Sequence, residues 1–228
     1  MAGHPGRSPT YYRLTETAAD FIERETGNRP TRIARSSPPS ARTILHRVGM
    51  ARVVLAMNDA CSLHGLAQPE WFLEYDSVAE VPGMAPFSRR FHLCHQFVLD
   101  DRTKLTCWPD AGCSLTIPHN GTTAQLAILW EFDRSTETLQ QLKAKMPPYA
   151  HFFQTHAYRK HWPAAKEARI FFIVPSLQRL ENAVTALRTE AAASIVRLAT
   201  VTDMKPDCVL TKPIWSTVDG QRRSILPG

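Results

Sequence analysis

Apolar residues recur at helical spacing over 43–63, where Ile44, Val48, Ala51, Leu55 and Ala60 fall along one stripe and Gly65 supplies a stop. The period then shortens. Residues 71–75 (Trp-Phe-Leu-Glu-Tyr) read as a strand, and 81–90, broken by Pro82, Gly83 and Pro86, read as an exposed loop. Strands are predicted over 105–108, 111–117 and 125–132, with the turn signal Ile117-Pro118-His119-Asn120-Gly121 joining the last two as a hairpin. After Asp133 the period lengthens again. Leu139, Leu142, Met146, Tyr149 and Phe153 form one face of a helix beginning near Ser135 or Thr136. Pro147-Pro148 interrupts it, because proline removes a donor and clashes with the preceding turn, so the helix ends or kinks near Lys145. A buried strand at 170–174 leads into a helix from Ser176, with Leu177, Leu180, Val184 and Leu187 inward, and a last strand follows at 195–201. Strands first, then alternating helix and strand, predict an α/β fold: a mixed β-sheet flanked by helices.

The N-terminal segment has a different character. Tyr11-Tyr12-Arg13-Leu14-Thr15 alternates like a short strand, and Thr15 is placed to cap a helix running through Ala18, Ala19, Phe21 and Ile22 to Gly27. One strand and one helix cannot bury a core. They need the rest of the chain, a second copy, or residues beyond this N-terminus. Prolines and small polar residues from Pro30 to Ser40 disfavour both helix and sheet, which predicts a linker and a domain boundary near residue 40.

Composition narrows the function classes. With 228 residues and 43% hydrophobic content, the chain can build one good-sized core and a small appendage. Its longest apolar runs, 126–130 and 170–174, are far below the roughly 20 residues a membrane span requires. No apolar signal core opens the chain, so a cytoplasmic location and no membrane partner are expected. Five cysteines (Cys61, Cys94, Cys107, Cys113, Cys208), an odd number without regular spacing, predict reduced thiols. The net charge of +6, concentrated over 29–47 and at Arg89-Arg90, Arg159-Lys160 and Arg222-Arg223, favours an anionic partner, nucleic acid first, against a merely solvated basic surface.

The chemistry-bearing feature is a dispersed set of acids. Pro109-Asp110 ends one predicted strand and Glu131-Phe132-Asp133 ends the next, with the hairpin signal between them, so pairing the strands gathers three carboxylates. Their repulsion calls for a divalent metal or a basic side chain. Competing chemistries are thinner. Cys94, His95, Cys107 and Cys113 lack zinc-knuckle spacing, and His92 and His95, three apart in a predicted strand region, are expected on opposite faces. There is no Gly-x-Ser-x-Gly elbow and no Gly-x-x-x-x-Gly-Lys phosphate loop. Trp71, Trp108, Trp130 and Trp215 read as core rather than base-stacking platforms.

An ordered series of motifs resembles the replication-relaxation family. It comprises His46-Arg47, Trp71 with Glu74, Pro109-Asp110-Ala111, Glu131-Phe132-Asp133-Arg134 with Thr136, then Lys145, Tyr149, the strand ending in Pro175, Arg179 and Pro213-Ile214-Trp215. The resemblance implies a role in plasmid or mobile-element replication and transfer. It also implies a restriction-endonuclease-like (PD-(D/E)XK) sheet at 42–215, followed by a tail at 216–228. Residues 1–29 would then be a remnant of a winged helix-turn-helix, its last wing strand and closing helix, joined by a linker at 30–41. Only ten residues precede Tyr11, too few for a recognition helix, so groove-specific reading is not expected.

In such nucleases an Asp and a Glu on adjacent strands hold Mg²⁺, with Mn²⁺ as a substitute, and a Lys two residues after the Glu positions water. Here the resemblance implies Asp110, Glu131 and Asp133 as metal ligands. Asp133 stands where the lysine is usual, which makes Lys145 the relocated lysine and Glu74, Arg134 and Tyr149 supporting residues. Asp133 has a competing role as a helix cap or as partner of Arg134 or Lys145. Three readings stay open: a DNA-associated accessory protein that binds without cleaving, alongside a relaxase or replication protein; a Mg²⁺-dependent endonuclease; and a protein-interaction module, including self-association, without DNA.

Overall fold

The computed structural model describes residues 16–27, 40–78, 86–119, 121–135 and 137–226. The chain divides into two compact units, Met1–Leu45 and His46–Gly228. In the first, α1 (Glu16–Thr26) occupies the predicted helix and ends where Gly27 turns to φ +72°, in the left-handed region glycine tolerates. The predicted wing strand at 11–15 and the linker up to residue 39 lie outside the described residues. Ser40 Oγ accepts from Thr43 N at 3.1 Å and so caps α2 (Ala41–Leu63), which continues into the second unit.

A seven-stranded mixed sheet forms the second unit. In chain order its strands are β1 (Glu70–Leu73), β4 (Ala111–His119), β5 (Thr122–Phe132), β6 (Ala165–Val174), β7 (Val196–Thr200), β8 (Trp215–Ser216) and β9 (Arg222–Arg223), and they neighbour one another in that same sequence. The short helix α3 (Phe87–Arg90) precedes a separate hairpin of β2 (His95–Val98) and β3 (Lys104–Cys107). β1, β4 and β5 are antiparallel, whereas β5, β6 and β7 run parallel. The crossovers are α4 (Leu139–Ala144) with α5 (Met146–Gln154), then α6 (Leu177–Leu187).

Side-chain alternation sorts the core into two layers. Ala127 and Leu129 of β5, with Ile170, Phe172 and Leu198, meet Leu142, Met146, Tyr149, Leu180 and Leu187 of α4, α5 and α6. Ile128 and Trp130, with Phe171, Ile173 and Ala199, meet Met50, Val53, Met57 and Ala60 of α2. Gly49 is what lets α2 lie so close to the sheet, because a Cβ there would stand 2.3 Å from the Phe132 ring. The same period-2 rule turns Glu131 toward α4 and α5 and Phe132 toward α2.

Several boundaries differ from expectation. The helix predicted from Ser135 or Thr136 begins later, because a capping box at Thr138, closed by Gln141, sets its start; Thr136 itself lies outside the described residues. It breaks at Lys145, as the prolines require. β6 begins at Ala165, five residues before the all-apolar stretch, since its first residues reach the sheet's end and carry charge. His92 precedes β2, so strand alternation does not apply to it. Its ring and that of His95 both face His161, at centroid distances of 6.3 and 5.0 Å, rather than opposite sides.

Candidate metal centre

The start of β4, the end of β5 and the sixth residue of α2 converge on Asp110. Asp110 N donates to Trp130 O (3.1 Å), and its Oδ2 accepts from Phe132 N (2.7 Å), so the carboxylate is fixed by the hairpin ladder itself. Its other oxygen, Oδ1, lies 3.0 Å from His46 Nε2. That imidazole packs edge-on to Phe132, with centroids 5.9 Å apart. From the other side Glu74 joins, one residue past β1. Its N–H donates to Asp110 O (2.9 Å) and its own carbonyl accepts from Trp108 Nε1 (2.9 Å), which tie the strand end in place.

One ligand atom from each of His46, Glu74 and Asp110 falls within 4.8 Å of the other two. Burial pushes the Glu74 carboxyl above its ordinary value and the Asp110 charge adds to that push. The hydrogen bond to Asp110 raises the His46 imidazole, against the effect of its burial. One imidazole nitrogen and two carboxylates suit a divalent ion of hard to intermediate character, such as Mg²⁺ or Mn²⁺. An ion there would relieve the repulsion between the two acids.

Glu131 lies beside this cluster and is engaged differently. It is only 3% exposed. Its Oε2 accepts from Lys145 Nζ at 2.7 Å and its Oε1 accepts from the Tyr149 hydroxyl. Lys145 also reaches Glu137 Oε1 at 3.1 Å. Burial pushes Glu131 up to about 7, with Asp110 adding to the shift and Lys145 and Tyr149 opposing it. Burial works against the Lys145 ammonium, but the charges of Glu131, Asp110 and Glu137 outweigh it and raise the group. Lys145 owes its position to the break between α4 and α5, since it is at once the end of one helix and the cap of the next. A cavity of about 240 Å³ opens here, lined among others by Thr106, Trp108, Glu131, Lys145 and Tyr149.

Asp133 is held by a third set of partners. Its Oδ2 meets Arg179 Nε of α6 at 2.6 Å and its Oδ1 accepts from Ser135 N at 2.7 Å. Arg179 Nη2 donates to Glu137 O (2.8 Å). Among the expected site residues, then, Glu131, Lys145 and Tyr149 are brought together, Asp110 groups with His46 and Glu74, and Asp133 joins Arg179. Arg134 follows, half-buried, and Lys143 of α4 meets Glu190 Oε1 at 3.3 Å. His46 and Arg179 had been visible only as motif residues; nothing in their spacing links them to the acids.

The Replication-relaxation family model matches residues 2–164, well over half of the chain. The chain belongs to that family. The match takes in His46, Glu74, Asp110, Glu131, Asp133, Lys145 and Tyr149, while Arg179 and the later strands lie past its end. No curated protein matches this replication-relaxation chain. Among the described residues no helix is long and apolar enough to cross a membrane.

Proposed function

We propose that this replication-relaxation protein is a DNA-associated accessory factor of plasmid or mobile-element replication or transfer, acting in the cytoplasm. Residues 42–215 serve as a restriction-endonuclease-like (PD-(D/E)XK) domain that holds DNA without cutting it, and residues 1–29 as a winged-helix remnant. The observation that carries the reading is the state of Glu131 and Asp133. Both oxygens of Glu131 are taken by Lys145 and Tyr149, and Asp133 is paired with Arg179, so the acids a nuclease would turn to metal are committed to protein partners. The net charge of +6 supports a polyanionic partner, with a relaxase or replication protein as the companion it positions.

A second reading rests on the other half of the site. His46, Glu74 and Asp110 would hold Mg²⁺ or Mn²⁺, and the Asp110 charge is among the causes that raise Lys145, which would take the lysine's part while Asp133 stands at its usual position. A bound ion would supply Lewis-acid polarisation of a phosphodiester. Lys145 would then contribute positive charge beside the phosphate, and Glu131 would hold Lys145 in place.

Incubation with supercoiled, linear and single-stranded DNA in Mg²⁺ or Mn²⁺ separates the two. The binding reading expects intact DNA, with Asp110→Ala and Glu131→Ala indistinguishable from the parent. Cleavage that disappears in both variants would establish the endonuclease instead.

A further inference from the structure

The sheet carries a second concave region at the opposite ends of its strands. β6 and β7 enter it with Lys166, Glu167, Arg169 and Arg197, and β9 closes it with Arg223. The resulting groove encloses about 710 Å³. Along β5 it starts near Gln125, six residues from Glu131, so about 20 Å of strand separates it from the acids.

Register explains why the arginines converge. Phe171 pairs with Arg197 across β6 and β7, and period-2 alternation puts Arg169 on the same face as Phe171. On the far side Trp215 pairs with Arg223. The Phe171 and Trp215 rings lie 4.3 Å apart, centroid to centroid, so these pairings turn all three guanidiniums to one face around a shared aromatic floor.

These cations are incompletely matched by carboxylates. Arg197 donates through Nη1 to the carbonyls of Ser194 (3.1 Å) and Val196 (2.7 Å), both neutral acceptors. Arg223 Nη2 donates to the Gln221 side-chain oxygen. Among the described residues, Arg169 alone of the three holds a direct carboxylate, Glu167 Oε2 at 2.6 Å. The other acid of the groove, Asp219, accepts from the Thr217 hydroxyl. Burial lowers the Arg197 group and the nearby charges of Arg169 and Arg223 push it the same way, while the charges of Asp219 and Glu167 oppose them. Clustered guanidiniums with fixed N–H forks and mutual repulsion suit a tetrahedral oxyanion, which accepts from several forks at once and cancels their charge.

We propose that this groove is a phosphate-binding site, in which Arg169, Arg197 and Arg223 together hold one phosphate group, supplied by a nucleic-acid backbone. It is separate from the acid cluster and involves no metal. A free phosphate compound presents the same chemistry, so the test carries one arm for each source.

The full-length protein is titrated with pyrophosphate by calorimetry and with labelled single-stranded and duplex oligonucleotides by fluorescence anisotropy. The variants are Arg223→Gln and Arg197→Gln/Arg223→Gln, with Lys104→Gln, exposed on the separate β2–β3 hairpin, as a charge-matched control outside the groove. Expected is weaker oligonucleotide binding in both groove variants, competition by pyrophosphate in the parent, and a salt slope reduced by about one for each guanidinium removed. Loss of pyrophosphate binding with oligonucleotide binding unchanged, or absent altogether, keeps the site and assigns it to a free phosphate compound. Arg223 is exposed at a two-residue strand, so its single variant reports even where the double variant does not fold. Unchanged affinity for both ligands in folded Arg223→Gln overturns the proposal.

Discussion

At the scale of single residues, the site is governed by acids whose burial is offset one at a time. Glu131 has its folded pKa raised to about 7, above the value of about 4.3 for a free carboxyl, chiefly by burial. The sign follows from linkage: the folded state favours the protonated form, a contribution complete below the unfolded value and lost as the pH rises through about 7. Urea unfolding at pH 5 and pH 8 should therefore show the parent losing on the order of 1–3 kcal/mol relative to Glu131→Gln over that interval. An unchanged difference between the two proteins would contradict this. Arg179→Ala tests the neighbouring pair. It leaves the Asp133 carboxylate, 2% exposed, without its guanidinium, and an expected loss of about 3 kcal/mol is read from the same unfolding curves. Asp133→Asn in that background should recover part of the loss, since the stranded charge is gone.

Between residues and the fold stand the elements that aim them. α2 delivers His46 to Asp110 because Gly49 permits close contact with Phe132. Gly49→Ala should cost about 1–3 kcal/mol through forced displacement of that ring, and Phe132→Leu should relieve part of it, both checked by thermal denaturation. The α4–α5 break that aims Lys145 was legible in the sequence, because Pro147-Pro148 acts locally and needs no tertiary partner. The start of α4 was less so: Ser135, Thr136 and Thr138 are all plausible caps by residue type, and only Thr138 has Gln141 three residues on to complete the box. Thr138→Ala should cost about 1 kcal/mol. β8 and β9 were not foreseen, since two residues cannot display a period.

For the whole molecule, the mixed sheet and the pairing of the two hairpin strands followed from alternation and turn chemistry, whereas the family resemblance named Lys145 and Tyr149 as site residues without placing them against Glu131. The grouping of His46 and Glu74 with Asp110 did not. It depends on how α2 and β1 meet the sheet, and no spacing rule joins residues so distant in the chain. If that group takes a divalent ion, Mn²⁺ affinity should fall at least tenfold in Asp110→Ala. It should also weaken as the pH drops past the raised His46 value, because the ligand is the neutral imidazole. The accessory-factor account makes a different demand, that DNA be held whether or not metal is present. Anisotropy of a labelled duplex, titrated with protein in Mg²⁺ and again in excess chelator across a salt series, measures this most directly. The account predicts the same salt-sensitive binding in both conditions and intact duplex at the end; binding that requires Mg²⁺, or a cleaved duplex, would contradict it.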